Sequence, residues 1–106
     1  MNERFASTLA LCMRAKKLTF GLDTVRYAVQ RSEVYLLLTA SDLSAKSQKE
    51  VAFLAEKYHL PHLALTATMS DIAATIGKKT GVLAVTEQGL AKKLGTVHYE
   101  TEETNL

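Results

Sequence analysis

The sequence predicts an α/β fold, a mainly parallel sheet held between helical layers, and three observations point there. Helical and strand-like segments alternate along the chain, the pattern that βα units produce. Two of the strand-like segments, VYLLLT and GVLAVT, are continuous apolar runs, as expected of strands covered by helices on both faces. The chain has 106 residues with no repeat, linker or low-complexity stretch, enough for one core and too few for two.

Taken in order, Phe5, Leu9, Cys12 and Met13 fall at i, i+4, i+7 and i+8 and mark the apolar stripe of a first helix over residues 3–15. Leu18 to Phe20 reads as a short strand that Gly21 breaks. Val25, Ala28 and Val29 set a second helical stripe ending near Arg31 and Ser32. Residues 34–39 form a buried strand, punctuated by Ser41-Asp42. Ser44 caps a third helix whose apolar face holds Val51, Leu54, Ala55 and Tyr58, and Pro61 stops it. Residues 62–67 alternate as a strand. Thr68 or Ser70 caps a short helix running to Ile76, with Gly77 as its C-terminal cap. Residues 81–86 form the last strand. A final helix over residues 87–94 offers Leu90 and Leu94 to the core and ends at Gly95. One domain over residues 1–99 is expected, followed by an acidic, flexible tail at residues 100–106.

Apolar residues make up 47% of the chain, with neither a membrane-length run nor a signal peptide, so a soluble, cytoplasmic protein is expected. Cys12 is the one cysteine, which excludes an internal disulfide and a cysteine-built zinc site; among apolar neighbours it reads as a buried thiol. The net charge is only +2, but its distribution is uneven. Residues 1–31 carry Arg4, Arg14, Lys16, Lys17, Arg26 and Arg31 against Glu3 and Asp23, whereas the last seven residues hold Glu100, Glu102 and Glu103 and no cation.

No constellation for catalysis can be assembled. Gly77-Lys78-Lys79-Thr80 lacks the P-loop glycine five positions earlier, where Ile72 stands. His59 and His62 flank Pro61 without a third ligand, and read as solvated loop histidines. What remains is KKLTFGLDTVRYAVQR, residues 16–31. A helix that starts at a glycine corner presents unpaired N–H groups and a partial positive charge, and with Lys16, Lys17 and Arg26 alongside it suits a phosphate. A second basic pair, Lys78 and Lys79, lies in the loop before the last strand. The alternative is a glycine that only turns the chain, with lysines solvating the rim. Which loops share a side depends on strand direction.

The stretches IGKKTGVLAVTEQGLAKKL (residues 76–94) and LALCMRAKKLTFGLDTV (residues 9–25) resemble the YlxQ-like bacterial branch of the L7Ae/L30e kink-turn-binding ribosomal protein family. The resemblance runs from about Arg4 to Leu94. It implies a three-layer α/β/α sandwich with a four-stranded mixed sheet of the ribosomal protein L30e type, and no cofactor. In the family's kink-turn binders, the glycine corner and the start of the next helix enter the widened groove of a bent RNA, with the loop before the last strand beside them. By this resemblance the RNA-contacting positions are Gly21, Leu22, Asp23, Thr24 and Tyr27, with Lys78, Lys79, Thr80 and Gly81 in the second loop, and both basic pairs border one surface. Asp23-Thr24 stands where those binders usually have Asn-Glu or Lys-Gln, and Tyr27 where they have lysine.

The expected function is therefore non-enzymatic binding of structured, kink-turn-like RNA, with ribosomal RNA as the partner and neither a membrane nor a small-molecule substrate involved. Phosphate contacts are expected from Lys16, Lys17, Arg26, Lys78 and Lys79. The rival is a protein-interaction module of the translation or ribosome-assembly machinery, with Leu22 and Tyr27 as apolar anchors.

Overall fold

The computed structural model describes residues 1–104, with side chains described through Tyr99. The elements run α1 (Glu3–Arg14), β1 (Leu18–Phe20), α2 (Leu22–Gln30), β2 (Leu36–Thr39), α3 (Ala45–Lys57), β3 (His62–Ala64), α4 (Met69–Ile76), β4 (Val82–Val85) and α5 (Gln88–Thr104). The four strands form one sheet in the order β1-β4-β2-β3.

Because successive strand residues point to opposite faces, each apolar strand feeds two cores. Leu36, Leu38, Leu83 and Val85 pack with Phe5, Leu9 and Cys12 of α1, Ile72 and Ile76 of α4, and Ala91 and Leu94 of α5. Leu37, Val82 and Ala84 pack on the other face with Val25, Ala28 and Val29 of α2 and Val51 and Leu54 of α3. The result is an α/β/α sandwich of three layers around a mixed sheet. Leu37, Leu38 and Leu83 are fully buried, each contributing roughly 1.5–3 kcal/mol of apolar burial.

The expectation of a mainly parallel sheet is corrected. β2 and β3 pair in parallel, but β4 runs antiparallel to both β1 and β2. A doubly covered apolar run reports burial on two faces and carries no information on direction. The connection from β3 to β4 also leaves and re-enters at one end of the sheet: the Met69 N–H donates to Asp42 Oδ1 (2.9 Å) near the start of α4, and Gly81 O accepts from Ala40 N–H (2.9 Å) just before β4. Eight residues of α4 therefore do not act as a crossover, and β4 must point back.

Helix ends follow local chemistry closely. Asn2, Ser44 and Thr68 accept from the backbone N–H of Phe5, Ser47 and Asp71, and Asp71 answers Thr68 N–H to complete a capping box. That N–H holds the Asp71 carboxyl below the usual carboxylate range. Glu87 accepts from Gly89 and Leu90 N–H at the start of α5, and those two bonds, Leu90's foremost, lower its pKa. Three helices end alike, with Lys16, Ser32 and His59 in left-handed conformation. At each, crossed bonds return to the last turn, as in Lys17 N–H to Cys12 O (3.0 Å) and Lys16 N–H to Met13 O (3.1 Å), the Schellman arrangement.

The last helix departs from expectation. It passes through Gly95 and reaches Thr104, because Leu94 and Val97 bury against the α1 side of the core, and that packing outweighs the roughly 1 kcal/mol that an interior glycine costs. The tail expected from residue 100 is thus helical through Thr104, and its remainder, residues 105–106, lies outside the described residues. A Cβ at Gly95 meets nothing within 4 Å. Gly95→Ala is accordingly expected to stabilise the protein by about 0.5–1 kcal/mol, read as an upward shift of the urea midpoint at unchanged slope.

His62 is also not the solvated loop residue expected. It lies in β3, half-buried, with Nε2 2.9 Å from the hydroxyl of buried Thr39. Burial pushes its pKa down, so the native state holds the ring neutral while an unfolded chain protonates below about pH 6.5. The stability this contributes is present above that pH and lost as pH falls toward and through the lowered native value. Thermal melts between pH 7.5 and 5 should show a fall in Tm that is smaller in His62→Gln.

Candidate nucleic-acid interface

Strand direction decides which loops meet. β1, β2 and β3 end at one edge of the sheet, and β4, running the other way, begins there. Gly21 N–H donates to Val82 O (3.0 Å), Ala40 N–H to Gly81 O (2.9 Å) and Ser41 N–H to Ala67 O (2.8 Å). These bonds join the Gly21 corner, the 77–81 loop, the 40–44 loop and the 65–68 loop into one continuous rim.

At its centre lies the start of α2. Gly21 has φ 91° and ψ 137°, a combination open to glycine and strained for other residues. It is the N-cap and has no side chain to offer. Helices α1, α3, α4 and α5 each close their first turn with a side-chain oxygen; α2 does not. Val25 N–H reaches Gly21 O (2.9 Å), and the N–H groups of Leu22, Asp23 and Thr24 have no acceptor among the described residues. Uncapped donors at the positive end of a helix favour an anion.

The neighbouring loop supplies the charge. Lys78 and Lys79 are exposed and have no ion-pair partner among the described residues. Gly77, in left-handed conformation, turns the chain out of α4. Gly81 seats the far end of the loop: a Cβ there would come within 2.6 Å of Leu43 Cδ1 and 3.2 Å of Met69 Sδ. The Thr80 hydroxyl donates to Val82 O (3.1 Å) and accepts from Val82 N–H (3.4 Å), which stiffens the loop but engages the hydroxyl.

Several expected site residues are placed differently. Lys16 and Lys17 lie at the opposite end of the sheet, since Thr86 N–H bonds Lys17 O (2.9 Å) and Leu18 pairs with Val85. Four residues of extended chain put Lys17 about 13 Å from Gly21, and the expectation that both basic pairs border one surface is corrected. The same antiparallel β4 that carries Lys78 and Lys79 to the rim leaves Lys16 and Lys17 behind. Arg26 is not available as a phosphate contact. Its guanidinium bridges Asp23 (2.9 Å) and Glu50 (2.6 Å), and these hydrogen bonds, Asp23's foremost, raise its pKa. The bridge ties α2 to α3 and engages the Asp23 carboxylate in the first turn of α2. As a solvent-exposed pair it contributes little to stability.

Leu22 is half-buried, packed against the α2/α3 core, so it is not an exposed anchor. Tyr27 is 60% exposed. Its ring lies under the Arg31 guanidinium, 5.3 Å from centroid to Cζ, and its hydroxyl accepts from Arg31 Nη1 (3.1 Å). Sequence reasoning missed the 40–44 and 65–68 loops, which contribute exposed Ser41 and Thr66 to the same rim. The available signal was weak: both follow strands parallel to β1, a relation no local pattern encodes.

Comparison with known proteins agrees with this architecture. The family described as ribosomal protein L7Ae/L30e/S12e/Gadd45 matches residues 3–95. A protein named RNA-binding protein YlxQ from Bacillus subtilis is 32% identical over 87 residues, covering 81% of this chain and 86% of the relative. The Enterococcus faecium protein of the same name is 26% identical over 92 residues, 87% of this chain and 88% of its own. Among solved structures, a protein of unknown function from Bacillus halodurans superposes with a TM-score of 0.85 at 27% identity, covering 90% of this chain and 96% of that one. A Giardia lamblia 15.5kD RNA binding protein superposes with a TM-score of 0.73 at 15% identity, covering 93% and 92%, a likeness of fold.

Proposed function

The chain belongs to the ribosomal protein L7Ae/L30e/S12e/Gadd45 family, and from that premise we propose that it binds structured RNA of kink-turn type, ribosomal RNA in particular, through the rim around Gly21. It does so without catalysis or cofactor. The observation that carries the reading is the meeting of two features at one place: the uncapped N-terminus of α2 and Lys78 and Lys79 of the adjoining loop, exposed and without an ion-pair partner among the described residues. The helix donors and the close-approaching glycine backbone take a phosphate or a base edge, and the lysines take the neighbouring phosphates. Contacts of this type read the shape of a folded RNA more than its sequence. Both relatives from Bacillus subtilis and Enterococcus faecium carry the name RNA-binding protein, which supports the assignment. Asp23, where kink-turn binders carry an amide or a cation, is compatible because Arg26 holds its carboxylate.

The test is a titration of the purified protein with a kink-turn RNA and with a plain duplex of equal length and charge. Tighter binding of the bent RNA, by tenfold or more, is the expected result. Equal, weak binding of both would remove the kink-turn assignment, and absence of binding to either would remove RNA as the ligand. A protein-interaction module is less well supported, since Leu22, one of its two anchors, is half-buried against the α2/α3 core.

A further inference from the structure

Between α2 and α3, on the face that descends from the rim, lies an open groove of about 320 Å³ with Leu54 and Tyr58 in its lining. Its α3 wall, which also includes Glu50 and Leu54, carries a stripe at i, i+4 and i+8: Lys49, Phe53 and Lys57. Four-residue spacing stacks side chains along one helix face, and eight residues of helix separate the two lysines by about 12 Å with the aromatic ring between them. Phe53 is 62% exposed, a large apolar side chain outside both buried clusters. The Lys57 ammonium hovers 5.8 Å from the Phe53 centroid and 5.5 Å from that of Tyr58. Across the groove stand Arg26 and Gln30 of α2. Glu50 is the one acidic residue of the lining, and it is bound to Arg26.

We infer that this groove holds a single-stranded RNA segment that continues from the structured RNA seated on the rim, one base stacking on Phe53 while Lys49 and Lys57 take the flanking phosphates. Positive grooves with a stacking platform suit single strands, because each base has a π-face and each linkage a charge. An all-apolar peptide would gain nothing from the lysines. The groove shares a helix with the rim: α2 begins at the Gly21 corner, and Arg26, about one turn further on, is part of the wall. The inference rests on the RNA reading of that rim.

The experiment compares three fluorescently labelled ligands by anisotropy: the kink-turn RNA with blunt ends, the same RNA with a five-nucleotide unpaired extension, and the five-nucleotide strand alone. For the unaltered protein the extension should tighten binding by about tenfold, in line with one stacked base. Phe53→Ala should abolish that gain while leaving affinity for the blunt RNA unchanged. Phe53→Tyr should retain the gain, and Phe53→Leu, which keeps apolar area without a π-face, should lose it. Phe53 being exposed, these variants are expected to melt with the unaltered protein. No gain from the extension, or a gain that survives in Phe53→Ala, overturns the inference while leaving the rim assignment intact. If the blunt RNA fails to bind, the rim assignment falls instead, and the groove is then judged on the unattached strand by the same Phe53 comparison. Capture of an acidic peptide in place of the strand would count against it.

Discussion

Lys78→Glu combined with Lys79→Glu lowers affinity for structured RNA by about one to two orders of magnitude at moderate salt, and makes the dependence of log affinity on log salt shallower by about one unit for each phosphate no longer neutralised. Both side chains are exposed and without an ion-pair partner among the described residues, so reversal breaks nothing in the fold and the melting temperature should hold. The informative partner is Lys16→Glu with Lys17→Glu. It changes the net charge of the protein by the same amount but acts at the far end of the sheet. A loss there within about threefold is expected, since exposed charges more than a Debye length of roughly 10 Å away are largely screened. Equal losses for the two double variants would mean that only overall charge matters, and the rim would lose its standing as the site.

Gly21→Ala is the second large effect, and it acts on folding and binding together. At φ 91° and ψ 137° an alanine is torsionally strained, at a cost of about 1–3 kcal/mol, and a Tm lower by roughly 5 to 20 °C follows for a domain of this size. A Cβ at Gly21 would meet nothing within 4 Å, so the cost is conformational and cannot be relieved by repacking. Gly77 makes the control. It lies at φ 78° and ψ 8°, in the left-handed region that asparagine tolerates, so Gly77→Asn should cost far less than Gly21→Asn. RNA titrations at a temperature where Gly21→Ala remains folded should still show weakened binding, because relief of the strain rotates the α2 donors out of alignment. Unimpaired binding in a destabilised Gly21→Ala protein would show that the corner turns the chain and does no more.

Much of the fold was legible residue by residue. Ser44, Thr68 and Gly77 cap helices at the positions their chemistry specifies, and the strand Leu18–Phe20 ends at the glycine that follows it. Local hydrogen bonding and side-chain periodicity act over a few residues, and a linear reading captures them. His62 was misread because a proline and a neighbouring histidine look like a loop, while its partner, Thr39, is 23 residues away. Gly95 was misread as a stop because helix propensity is weak against the burial of Leu94 and Val97 on a surface that α1 supplies.

By itself, the chain order of apolar and polar residues determined the nine elements seen among the described residues, their two-faced burial, and a helix that starts at a glycine. Which cations reach that start was decided only when β4 took its place antiparallel between β1 and β2. That choice brings Lys78 and Lys79 to Gly21, leaves Lys16 and Lys17 at the far end, and lets Arg26 bind Glu50 across the α2/α3 face. Strand direction is set by how the connecting chain packs and re-enters the sheet, a property of many distant contacts acting together, and no short stretch of sequence records it.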